Sequence, residues 1–126
     1  MSFSNTYETN VLTWTFTTGA VTRPTAWYIG LFTSDPGEAQ GGTEVSGGSY
    51  VREAVTFTVS GDTATNSAAI EWPVATANWG TITHIAVYDA STSGTQIAYA
   101  ALTSSKTIST GDVLRIPAGD LDITLN

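Results

Sequence analysis

The sequence predicts an all-β fold: a single antiparallel β-sandwich of about seven strands, preceded by an N-terminal arm or short helix. Three observations predict it. The chain has 126 residues, the size of one domain around one core. Threonine is roughly a sixth of the chain, and Val, Ile, Tyr, Trp and Phe supply much of the rest, the side chains that fit a pleated, half-buried surface. The apolar runs are short and are separated by Gly, Asp, Ser and Pro, a spacing of sandwiches and barrels rather than βαβ units. Residues 1–20 read as the arm and residues 21–126 as the sandwich.

The arm is the one helix candidate. Tyr7, Val11 and Trp14 recur at helical spacing, Leu12 and Phe16 extend that face, and Asn5 with Glu8 resembles a capping box. The β-branched Thr9, Val11, Thr13, Thr15 and Thr17 oppose a helix, and their alternation with Leu12, Trp14 and Phe16 is a strand pattern. Helix and extended strand both stay open here.

The strands follow in order. Ala26–Phe32 is apolar on both faces and predicts a central strand. Tyr50–Val59 puts Val51, Val55, Phe57 and Val59 on one face. Thr65–Trp72 carries Ala68, Ile70 and Trp72 on one face and ends at Pro73. Thr81–Asp89 sets Ile82, Ala86 and Tyr88 against Ile85 and Val87 and is also central. Gln96–Leu102 returns as its hairpin partner after the Ser91–Gly94 turn. Val113–Ile116 and Leu121–Leu125 close the chain. Ser34–Ser49, with five glycines and the acids Asp35, Glu38 and Glu44, is a long loop, and loops of that length are commonly functional or mobile. Gly41-Gly42 and Gly47-Gly48 read as flexible loop, since no phosphate-binding motif follows them.

Composition excludes several classes of function. No cysteine is present, which removes disulfides, thiolate metal sites and cysteine nucleophiles. One histidine rules out a multi-histidine metal centre. The formal charge is −7, from 4 basic and 11 acidic residues. Arg23, Arg52, Lys106 and Arg115 are scattered, so neither nucleic acid nor an anionic membrane is an expected partner. No apolar run reaches a membrane-spanning length, and no signal peptide is expected at the N-terminus.

The candidate chemistry is sparse. His84 is the first place to look for acid–base work. It falls on the Ile82/Ala86/Tyr88 face, the nearest acid along its strand, Asp89, falls on the opposite one, and no serine elbow accompanies it. It reads as a structural histidine. The acids lie mostly in turns, apart from Glu53 and Glu71, and suit turn geometry better than a glycosidase pair. Asp35, Glu38 and Glu44 could offer oxygen ligands to calcium, without the spacing of a calcium loop. Of the four tryptophans, Trp27 and Trp72 read as core. Trp14 in the arm and Trp79 in a turn are the better candidates for contact with a partner, a sugar included. No catalytic, cofactor-binding or metal residue is assigned, and no cofactor is expected.

The chain resembles a family of small bacteriophage virion proteins labelled tail-fibre-like or head-fibre and capsid decoration proteins. The resemblance covers nearly all of residues 20–126. It is carried by Thr22-Arg23-Pro24 leading into Trp27–Thr33, by Asp35–Glu38 and by Thr43–Arg52. It continues through Ala75–His84, Val87–Ala90, Ala101–Thr103, Ser105–Thr107, Gly111-Asp112 and Ala118–Leu121. Relatives are richer in Leu and helical in the arm, where this chain is rich in Thr. The resemblance implies a non-enzymatic virion structural protein, first a capsid decoration (cement) protein on the capsid exterior. The alternative is a tail-fibre or tail-tip component, and carbohydrate or receptor binding is the reading after that. It implies contact with the major capsid protein or other virion proteins and a homo-oligomer, for which a trimer is the expectation. Phe3, Tyr7, Leu12, Trp14, Phe16 and Trp79 are the interface candidates, because apolar patches of this kind seek a partner.

Overall fold

Strands that are apolar on both faces have to lie inside a sheet whose two sides are both covered, and two segments of this chain do so. The computed structural model describes residues 1–125. Its elements are β1 (Ser2–Phe3), α1 (Asn5–Phe16), β2 (Tyr28–Phe32), β3 (Glu53–Ala54), β4 (Phe57–Ser60) and β5 (Thr63–Asn66). They continue with β6 (Ile70–Glu71), β7 (Gly80–Tyr88), β8 (Gln96–Ile108), β9 (Arg115–Ile116) and β10 (Asp122–Thr124). A five-stranded sheet has the order β1-β8-β7-β2-β3, a three-stranded sheet β10-β5-β4, and a two-stranded sheet β6-β9. All pairings are antiparallel. The fold is all-β and sandwich-like, and β2 and β7 are the central strands that the sequence predicts.

Period-two alternation assigns their faces. Ile29 pairs with Val87 and Leu31 with Ile85, and these side chains join one core with Ile82 of β7 and with Ile70, Trp72 and Leu121 from the smaller sheets and connections. Phe32, Ala86 and Tyr88 form a second cluster on the opposite face, with Phe32 and Tyr88 stacked at 6.3 Å. Ile82 departs from the face expected for it. Between Ile82 and His84 the register shifts: Ile82 pairs with Lys106 but His84 with Ala101, so β8 holds extra residues opposite Thr83. Such a bulge re-aims side chains, and Ile82 packs into the main core while Ala86 and Tyr88 face away from it.

The described residues form ten strands where about seven are expected, because two predicted strands each divide between sheets and Ser2–Phe3 of the arm adds β1. Tyr50–Val59 breaks at Val55: β3 stays in the large sheet, β4 joins the three-stranded one, and Val55 is buried between them, whereas Val51 and Val59 are exposed. Thr65–Trp72 breaks after Asn66. That buried amide donates to the carbonyls of Ala68 (2.9 Å) and Pro117 (3.0 Å) and accepts from Leu121 N (2.9 Å). Both ends of the Asn66 side-chain amide are thereby paired, as burial requires. Ala68, expected inside, lies exposed on the turn.

Trp79 also differs from its expected place. It is only 5% exposed, packs edge-on to Tyr50 and donates its indole N–H to the Gly48 carbonyl at 2.9 Å. A Cβ at Gly48, whose φ is +61°, would sit 2.9 Å from the Trp79 Nε1. The Gly47-Gly48 pair is therefore part of the packing around an inward tryptophan, rather than slack chain.

Candidate docking surface

The arm resolves into a two-residue strand and a helix. Ser2 and Phe3 pair with Tyr99 and Ala98 on the edge of β8. Ser4, not Asn5, is the N-cap: its backbone is extended, its Oγ accepts from Tyr7 N at 3.4 Å, and it is buried. The same hydroxyl donates to the Gln96 carbonyl at 2.5 Å, Ser4 N donates to Ile97 O at 2.9 Å, and Asn5 N to Glu38 O at 3.0 Å. The first turn is thus tied to β8 and to the long loop. Tyr7 is half-buried, and burial followed by the nearby Asp89 carboxylate pushes its phenol pKa upward.

Beyond that turn the helix is unsupported, and no residue of α1 is buried. Leu12 is 58% exposed, Trp14 71% and Phe16 78%. Large apolar side chains held this far into water are the feature of soluble proteins that calls for explanation. Tyr7, Asn10, Val11 and Trp14 form one wall of a groove of about 430 Å³, and Val21, Thr22, Arg23 and Pro24 form the other. Of the six interface candidates, Leu12, Trp14 and Phe16 lie together on this exposed helix. Tyr7 and Phe3 are partly buried at its base, and Trp79 lies apart in the core.

A second constellation, invisible in the sequence, covers the outer face of the large sheet. The Arg52 guanidinium binds both carboxylate oxygens of Glu44, Nε to Oε2 at 2.9 Å and Nη2 to Oε1 at 2.8 Å. Its Nη1 donates to the carbonyls of Ala90 (3.1 Å) and Ser93 (2.7 Å), and the group lies 3.7 Å over the Tyr88 ring. Tyr50 donates to Glu44 Oε2 at 2.6 Å and accepts from Leu31 N at 2.9 Å. Burial opposes the Arg52 charge, but the Glu44 hydrogen bond and charge outweigh it and raise its pKa. Chemically this is a staple holding the long loop and the β7–β8 turn against the sheet. Every oxygen and nitrogen in it is turned toward another group of the protein.

The remaining candidates are not brought together. His84 Nε2 lies 3.8 Å from Asp35 Oδ1, and its Nδ1 lies 2.8 Å from Oγ1 of the adjacent Thr83. Asp35, the acid facing it, comes from the long loop, which reasoning along the strand could not find. Glu44 is engaged by Arg52 and Tyr50, while Asp35 Oδ1 accepts from Gly37 N at 2.9 Å. Among the described residues no group of three or more His, Cys, Asp or Glu side chains is placed to hold a metal ion. None of their helices is long and apolar enough to cross a membrane.

Residues 2–124 match the family described as podophage GP4 fiber I protein gp80. The chain belongs to that family. The gp80 match begins at residue 2, so it takes in the arm as well as the β-body and extends beyond the resemblance over residues 20–126. A gp80 fibre protein is a phage structural protein, and its place is the virion. No curated protein matches the chain.

Proposed function

We propose that the chain is a non-enzymatic subunit of a podophage fibre, and that the exposed face of α1 is the surface through which it assembles. The carrying observation is the exposure of Leu12, Trp14 and Phe16 on one helix whose base is hydrogen-bonded to the body. Covering those side chains removes apolar surface from water at roughly 25 cal/mol per Å². The β-body supports the same reading: its functional-looking groups are spent on one another, as in the Glu44–Arg52 staple. The gp80 family description favours a fibre over the capsid-exterior decoration that the sequence suggested first.

Copy number tests the placement. In purified virions resolved on a denaturing gel, the chain is expected as a small fraction of the major capsid protein. A band stoichiometric with the capsid protein would return the chain to the capsid lattice and overturn the fibre reading.

A further inference from the structure

We propose that the groove beside α1 receives α1 of a second copy, so that copies join head to tail through their arms. This rests on the reading of α1 as the assembly surface. It names the occupant, and both halves of the contact are present in one molecule. Tyr7, Val11 and Trp14 face the groove. Glu8, Leu12 and Phe16, each one helical turn after the last, form the adjoining ridge, set about 100° around the axis. A ridge cannot enter the groove of its own helix, and Leu12 and Phe16 stand free of the body. Groove and ridge are different surfaces, so the contact is heterologous and produces a ring when the rotation closes.

Charge selects a second copy as the occupant. Arg23 stands in the groove wall and forms no ion pair among the described residues. Glu8 is the one charged side chain of α1 and lies on the ridge. Ridge-into-groove docking sets the partner's Glu8 against Arg23. Elsewhere two copies of a chain carrying −7 repel.

The test is sedimentation equilibrium of the full chain at low salt, with near-UV circular dichroism as the check on folding. The wild type is expected to self-associate. Phe16→Ser weakens the association at least about tenfold. Glu8→Arg and Arg23→Glu each weaken it about twofold to fivefold, and the double reversal restores it. Restoration separates a pair from mere loss of helix, because Arg23→Glu cannot repair a helix disturbed at Glu8. A wild type that stays monomeric at all concentrations overturns the self-docking, as does a double reversal that restores nothing. A monomer that gel counting still places in the virion at fibre-like copy number leaves the fibre reading intact and assigns the groove to another virion protein.

Discussion

Glu44 organises the outer face of the large sheet because three donors from two side chains, Arg52 and Tyr50, converge on its two oxygens. Arg52 is the cation of the two, and its side chain is almost wholly buried. Arg52→Ala therefore leaves a partly buried carboxylate against Tyr50 with nothing to balance it, at a cost of about 2–4 kcal/mol. Urea denaturation measures this, and a loss under about 0.5 kcal/mol, the range of an ordinary surface change, would mean that the staple is ornamental. Glycine positions offer a sharper comparison. Gly48 and Gly61 share a left-handed backbone, at φ +61° and +59°, but only Gly48 has Trp79 against its missing side chain. Both alanine variants pay the same strain of about 1 kcal/mol, and Gly48→Ala is expected to lose a further 1–3 kcal/mol, roughly, by displacing the indole. Equal losses would refute the packing argument. Neither feature was legible in the sequence. Glu44 and Arg52 lie within a stretch that is neither helix nor ladder, and two adjacent glycines look the same whether they loosen a loop or admit a ring.

At the scale of elements, the arm held contradictory signals, and the structure shows which physics prevailed. Threonine alternation favoured a strand, but β1 occupies the β8 edge only opposite Tyr99 and Ala98, and the residues after it find no ladder. A helix satisfies its own backbone, and the Ser4 cap and the bond from Asn5 N to Glu38 O start it. Ser4→Ala removes both the cap and the buried hydroxyl bond to Gln96 O, at about 1–2 kcal/mol local to α1. Far-UV circular dichroism should lose helical signal, and amide exchange in α1 should accelerate while β7 and β8 stay protected. An equal acceleration in all three would show that arm and sheet open as one unit. β2 and β7 were readable because continuous apolarity admits few alternatives. The divisions at Val55 and Asn66 were not, because a strand that changes sheets keeps its alternation across the break. β8 runs past Leu102 to Ile108 through Thr103–Thr107, where no apolar side chain marks it.

For the whole molecule, the fold class was legible because β-rich composition constrains it without any contact being known, whereas the virion role was legible only through the resemblance to a phage family. The stability limits are less obvious, and one lies on the alkaline side. Burial first, and then the hydrogen bond donated to Glu44, push the Tyr50 phenol far above its ordinary 10.0. Burial also raises Tyr88, less strongly, against the opposing charge of Arg52. A raised pKa in the fold means that the neutral phenol is the form the native state keeps. The unfolded chain releases that proton near 10.0, and the folded one does not. Stability from Tyr50 is therefore complete below pH 10, roughly, and falls above it by up to about 1.4 kcal/mol per pH unit. Urea midpoints taken in steps from about pH 8 to pH 11 should hold level and then drop. Tyr50→Phe should begin lower, since Leu31 N loses its acceptor and Glu44 a donor, and should then decline more shallowly. If both proteins lose stability with the same slope above pH 10, roughly, the titrating group is not Tyr50, and the outer face owes its order to Arg52 and Glu44 alone.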